Sequence, residues 1–227
     1  MEDQRNFHCW CYRRLVVNIG DIKPTDEFAF SGEKIDENFS NYSAFHHRSV
    51  YIQKLGKNAA DMVEAEFSII ENAIYTEPDD QSAWWYHQFL LTWISQQQQQ
   101  QQQQGVQQSN NSDDITSSSS SSGIFDEPKW MKLLNSQITV MESLLEVEVT
   151  SKWAMTSLSM MLELLLKVLC SKDQLEGDSD TSVSQSIQEL DEKRQTLLSK
   201  LCQVDPFHVN RYKYLQRRKY FIDDPVQ

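Results

Sequence analysis

A helix-opening signature recurs three times along this chain, and its spacing constrains the fold more than any other feature. The copies are Asn6-Phe7-His8-Cys9-Trp10-Cys11-Tyr12-Arg13, Asn41-Tyr42-Ser43-Ala44-Phe45-His46-His47-Arg48 and Asp80-Gln81-Ser82-Ala83-Trp84-Trp85-Tyr86-His87. In each copy a short polar residue stands four places before a large aromatic, and Arg or His follows three places after it. Trp10, Phe45 and Trp84 are 35 and then 39 residues apart. A helix start repeating at that period marks an array of helical hairpins. The short polar residue is a natural N-cap, because its side chain accepts from the orphan N–H groups of the first turn.

Taken in order, residues 1–95 read as repeats of which the first is incomplete, since only five residues stand before Asn6. A start inside a hairpin predicts that upstream repeats are lacking here, and that apolar surface around Phe7 and Trp10 stays open. A first helix over about 26–38 and a second from Asn41 to a stop at Gly56 form the next hairpin. Met62, Val63, Phe67, Ile70 and Ile74 follow at helical steps. The turn at 76–79 leads to a helix capped by Asp80 and carrying Trp84, Phe89, Leu90 and Trp93. Residues 96–127 hold nine consecutive Gln and six consecutive Ser. Such a stretch buries too little apolar surface to offset its ordering entropy and reads as a disordered insertion, with Gln extending the preceding helix by a turn or two.

Helical periodicity returns over 128–170. Trp153 falls 69 residues after Trp84, and subtracting the insertion restores the period, so Trp153 is expected as the fourth stacking aromatic. A polar insertion over 171–184 precedes a last repeat over 185–227. There Asp205-Pro206 reads as a cap followed by proline at the first helical position.

Composition narrows the function. A formal net charge of −12 argues against general nucleic-acid binding, which needs excess Lys and Arg. It suits contact with protein surfaces. No apolar run is read as a membrane span of about 20 residues, and neither a signal-peptide core nor a prenylation box is seen. Four cysteines without paired spacing read as free thiols of a reducing compartment, giving an expected cytoplasmic location.

The candidate chemistry is thin. His46-His47 beside Asp36 and Glu37 lacks metal-ligand spacing, since adjacent helical residues point about 100° apart. Cys9 and Cys11 face different sides of their helix. Nucleophile-elbow and phosphate-cradling motifs are missing, so no catalytic, cofactor-binding or metal residue is assigned. Arg211, Lys213, Arg217, Arg218 and Lys219 read as a solvated basic face complementing a helix C-terminus. The repeated aromatics Trp10, Phe45, Trp84 and Trp153 are assigned to packing. Core packing does not demand their polar companions. Asn6, Phe7, His8, Arg13, Asn41, Tyr42, His46, Arg48, Asp80 and His87 are therefore assigned to a partner-facing edge of the array.

These residues resemble the protein prenyltransferase alpha-subunit repeat family. Phe7-His8-Cys9-Trp10 with Tyr12-Arg13-Arg14, Asn38-Phe39-Ser40-Asn41-Tyr42-Ser43 and Asp80-Gln81-Ser82-Ala83-Trp84 are similar to the version found in Rab geranylgeranyltransferase (geranylgeranyltransferase type II) alpha subunits. Lys152-Trp153 and Asp205-Pro206 before Arg211 and Tyr214 extend the likeness into the tail. The resemblance implies an all-α, right-handed superhelix of helical hairpins, an alpha-alpha solenoid, that scaffolds a separate beta subunit. That beta subunit is expected to carry zinc and the geranylgeranyl diphosphate pocket, with no cofactor bound by this chain. Rab GTPases, presented by a Rab escort protein, are the implied substrates, modified on C-terminal cysteines. The alternatives are the alpha subunit of protein farnesyltransferase and type I geranylgeranyltransferase, or a non-enzymatic helical-repeat adaptor.

Overall fold

The computed structural model describes residues 5–56, 58–109, 127–176 and 181–218, and every element among them is helical. The chain divides into two compact units, Met1–Lys129 and Trp130–Gln227.

The first unit opens with α1 (Phe7–Gly20), capped by Asn6, whose Oδ1 accepts from the His8 and Cys9 N–H groups. Asp21, at φ 48°, ends α1 in the left-handed conformation, and its N–H bonds the Val17 carbonyl. α2 (Pro24–Glu37) starts on a proline, whose missing N–H costs nothing there, and places Asp26 and Glu27 in its first turn. α3 (Tyr42–Ile52) is capped by Asn41, whose Oδ1 accepts from the Ala44 N–H at 3.1 Å. A short 3₁₀ turn over Gln53–Leu55 follows and stops at Gly56, where φ of +60° favours glycine. α4 (Asn58–Thr76) and α5 (Gln81–Ser109) make the next pair, with Asp80 Oδ1 accepting from the Ser82 N–H at 2.7 Å.

Within this unit α2 packs on α3, α4 on α5, and α3 on α5. Phe45 and Trp84 are fully buried, as the periodic aromatics should be, and Trp10 is buried too. The Trp84 indole N–H donates to the Pro78 carbonyl at 2.8 Å, so the ring also fixes the turn before its own helix. The expected open surface at the start of the array is real at Phe7 but not at Trp10, which lies against Phe30 and His47.

The second unit holds most of α6 (Glu127–Val147), then α7 (Lys152–Glu176), α8 (Thr181–Val204), a 3₁₀ turn over Pro206–His208, and α9 (Val209–Arg217). α7 packs on α8, and α8 on α9. Buried Arg194 of α8 ties α9 to α7, its Nη2 donating to Glu163 Oε2 at 3.2 Å and to the Leu215 carbonyl at 2.8 Å. Residues 152–171 of α7 are long and apolar enough to pass for a membrane span, against the sequence reading. In this fold they are the central core helix of the unit, with Ala154, Leu158, Met161, Leu162 and Leu166 buried.

The two insertions are shorter than expected. α5 continues unbroken through the whole glutamine run to Ser109, rather than for a turn or two. Glutamine is a good helix former, and lengthening a formed helix fixes one residue per hydrogen bond gained. The 110–126 part of the insertion lies outside the described residues. α7 and α8 likewise run into the second polar stretch from both sides, leaving 177–180 outside the described residues. Gln185 and Gln188 support the early start of α8 by donating to Glu189 and Glu192 one turn on.

Two register expectations change. Ser151 Oγ accepts from the Ala154 N–H and occupies the cap position of α7, so the residue four places on is Met155, fully buried. Trp153 is only half-buried, with the Lys152 ammonium 5.2 Å from its ring centre, and Met155 takes the stacking position instead. Asp205 does not cap the helix that follows Pro206. Its Oδ2 accepts from the Tyr212 hydroxyl at 2.7 Å and lies 2.9 Å from His208 Nδ1.

Candidate partner interface

Counting from each cap puts the second helices of the hairpins in one register. The fourth residue after the cap is Trp10, Phe45, Trp84 or Met155, and all four are buried. The sixth and seventh are Tyr12-Arg13, His47-Arg48 and Tyr86-His87 in the first unit. These two positions meet a glutamate from the neighbouring first helix, by the same geometry twice.

On α2, Glu27 Oε1 accepts from Arg13 Nη2 at 2.6 Å, while its Oε2 accepts from Arg13 Nε and lies 2.8 Å from His47 Nε2. On α4, Glu66 Oε1 accepts from Arg48 Nη2 at 2.6 Å, and its Oε2 accepts from Arg48 Nε and from the Tyr86 hydroxyl at 2.7 Å. Each glutamate thus clamps the arginine of the preceding second helix to the sixth-position residue of its own hairpin. Each arginine is also stacked on a phenylalanine of α2: Arg13 Cζ lies 3.2 Å from the Phe30 ring centre, and Arg48 Cζ 3.7 Å from that of Phe28. Arg48 further donates to the Phe28 carbonyl at 2.8 Å. A Cβ at Gly32 would stand 3.0 Å from Arg48 Nη1, so the glycine makes room for the guanidinium.

Electrostatics follow from this packing. Burial raises the Glu27 pKa, but the hydrogen bonds and charges of Arg13 and His47 outweigh it and hold the carboxyl below its ordinary value. Burial likewise opposes the charge of Arg48, and Glu66 more than compensates, raising it. Burial lowers His47 in spite of Glu27, and a proton on its Nδ1 would find no acceptor among the described residues.

The ten residues assigned to the partner-facing edge therefore separate into two groups. Asn41, Arg48 and His87 are buried and present no surface to a partner; they serve as cap, clamp and packing residue. Arg13 is half-buried and held by Glu27. The polar companions of the aromatics are largely internal cross-links, because a charged residue seven places after the cap points back towards the next first helix. Asn6, Phe7, His8 and Tyr42 are exposed, and His46 and Asp80 partly so. They gather at the N-terminal ends of α1, α3 and α5, with Phe7 packed edge-on to His8 and Tyr42 against His46.

Several functional side chains escaped the sequence reading. Glu27-Phe28 and Glu66-Phe67 each begin fourteen residues before a cap, a spacing visible in the sequence. Trp85 is half-buried at the exposed edge, touching Tyr42 and His46. Among the described residues no group of three or more His, Cys, Asp or Glu could hold a metal ion.

Comparison with known proteins gives this register a lineage. Residues 24–55 and 63–94, the α2–α3 and α4–α5 hairpins, match the model of the protein prenyltransferase alpha subunit repeat. These two hairpins carry that repeat. Relatives similar to the chain include geranylgeranyl transferase type-2 alpha subunits. That of Schizosaccharomyces pombe is 30% identical over 232 residues, covering 95% of this chain and 58% of the relative. That of Homo sapiens is 43% identical over 91 residues, covering 36% of this chain and 16% of the relative. That of Saccharomyces cerevisiae is 40% identical over 93 residues, covering 37% and 28%. The chain thus spans between about a sixth and somewhat over half of the length of these relatives.

Proposed function

We propose that this chain serves as the alpha subunit of a Rab geranylgeranyltransferase heterodimer. In this reading it scaffolds a separate beta subunit, which transfers geranylgeranyl from geranylgeranyl diphosphate to the C-terminal cysteines of Rab GTPases presented by a Rab escort protein. The beta subunit supplies the zinc and the lipid pocket, and the assembly works in the cytoplasm. The observation that carries the reading is the doubled hairpin register, in a chain similar over 95% of its length to a type-2 alpha subunit.

The chemistry of this chain fits a scaffold. Buried charges among the described residues are held in clamps between helices, and Phe7, His8, Tyr42 and His46 put rings at the hairpin edges beside Asn6 and Asp80. Rigid aromatics at the ends of stacked helices make a recognition surface, with the glutamate clamps holding successive helix ends at a constant spacing.

Co-expression of the full chain with the cognate beta subunit tests the proposal. A stable one-to-one complex that geranylgeranylates a Rab protein only when escort protein is present is the expected result. Failure to form the complex overturns it. Prenylation of a peptide ending in a single-cysteine box, without escort protein, would instead assign the chain to the farnesyltransferase and type I enzymes. Unchanged Rab prenylation in cells lacking the chain would point to an adaptor.

A further inference from the structure

A basic face complementing a helix C-terminus is the sequence expectation for Arg211, Lys213, Arg217, Arg218 and Lys219, but the packing of α9 leaves little to complement. The Leu215 carbonyl accepts from Arg194 Nη2 at 2.8 Å, the Gln216 carbonyl from Gln195 Nε2 at 3.2 Å, and the Tyr214 carbonyl from the Arg218 N–H at 3.1 Å. The last turn is thus satisfied by α8 and by its own backbone. Of the cluster, Arg218 lies 4.0 Å from Glu163, and Lys219 falls outside the described residues. Arg211, Lys213 and Arg217 are exposed and form neither an ion pair nor a hydrogen bond among the described residues. No Asp or Glu occurs between Pro206 and Arg218, in a chain whose formal net charge is −12. The same face carries two rings. Phe207, in the 3₁₀ turn that leads into α9, is 94% exposed, and Tyr214 is 60% exposed. Positions 207, 211 and 214 follow at four- and three-residue steps, which puts both rings and Arg211 along one side. The opposite side is fixed, with Tyr212 buried and its hydroxyl donating to Asp205 Oδ2 at 2.7 Å.

We infer that this face of α9 docks an acidic segment of a partner protein, one carrying several carboxylates and an apolar side chain. Charge complementarity selects the occupant. Two guanidiniums and an ammonium without counter-ions are matched by carboxylates, which Arg211 and Arg217 can hold through paired N–H donors. Phe207 and Tyr214 supply the apolar contact that fixes the segment along the helix. The 3₁₀ turn and α9 together run about 20 Å, a length that about six residues of extended chain cover. An anionic membrane is a plane that meets the whole molecule with its excess of negative charge. A narrow peptide senses only charges within a Debye length of roughly 8 Å, where α9 is purely basic. The site is independent of the heterodimer reading, and neither depends on the other.

A phage-displayed library of random octapeptides, panned on the full-length chain, tests the site. Enriched peptides should combine several Asp or Glu with an aromatic or aliphatic residue. A synthetic copy of one should bind the Arg211→Glu, Arg217→Glu double variant at least about tenfold more weakly than wild type. The Lys129→Glu, Lys132→Glu double variant undergoes the same change of net charge at exposed positions of α6, and should stay within a factor of two of wild type. Carbodiimide coupling of the peptide carboxylates to the wild-type chain keeps the inference testable if the first variant unfolds, and an amide at Lys213 supports it. Enriched peptides without an acidic excess, equal losses in the two double variants, or coupling that avoids Lys213 overturns the site. So does a wild-type chain that binds phosphatidylserine vesicles or single-stranded DNA but no acidic peptide.

Discussion

Replacing Glu66 by glutamine would leave the buried Arg48 guanidinium facing a neutral amide, and the clamp shows what that costs. Arg48 and Glu66 are both nearly inaccessible, and Tyr86 donates to the same carboxylate. Breaking a buried pair by removing one charge destabilises by about 3–5 kcal/mol, because the other charge stays buried without compensation. Glu66→Gln should therefore lower the unfolding free energy by about that amount, read from urea unfolding. The Arg48→Met, Glu66→Leu double variant should recover most of the loss, since apolar packing replaces both charges. The residue scale is also where sequence reasoning erred most. Arg48 and His87 were assigned outward because core packing does not demand polar groups. A charge can be buried when a partner arrives from another helix, and Glu66 is eighteen residues away in sequence. Asn6 and Asn41, by contrast, were legible as caps, because capping is local and needs only the residues that follow.

At the scale of the element, periodicity placed the described helices, and what it missed has local causes. α5 runs through nine glutamines, further than the expected turn or two, because helix propagation depends on backbone propensity as well as on burial. Spacing from Trp84, less the insertion, pointed to Trp153 as a stacking residue, but the register is set by the Ser151 cap, and Met155 holds the position. α7 looks like a candidate span by composition and is a core helix by packing. Asp205 looked like a cap and is the acceptor for Tyr212, whose phenol is pushed up to about 12 by burial and by that carboxylate.

For the whole molecule these groups shape stability against pH from both sides. His47 has its pKa lowered in the fold, so the unfolded chain takes up its proton first, and stability falls as pH drops through about 6.5. Glu27, Asp205 and Glu163 are lowered too, and their contributions, present above the ordinary carboxylate range, are lost on further acidification. Tyr212 is raised, so its contribution is complete below about pH 10 and disappears as pH climbs through about 12. Thermal unfolding across this range should give a plateau near neutrality with a two-stage acid flank, and a pH-independent midpoint between 4 and 7 would contradict the His47 and Glu27 assignments.

The glutamate clamp also acts as a ruler on the genome. Glu27 to Asn41, Glu66 to Asp80 and Gln137 to Ser151 all span fourteen residues, while the caps themselves lie 35, 39 and then 71 residues apart. Length varies beyond the sixth and seventh positions of a second helix and before the next clamp residue, where added chain displaces neither partner of the Arg48–Glu66 pair. The glutamine expansion sits in that permissive interval. One extra codon between Glu66 and Asp80 would turn the clamp about 100° away from Arg48, so it should abolish cooperative unfolding by circular dichroism, whereas shortening or lengthening the glutamine tract by several codons should leave the unfolding midpoint unchanged. Slippage in the glutamine tract would change the length of α5 beyond its clamp residue Tyr86 and leave Arg48 and Glu66 in register.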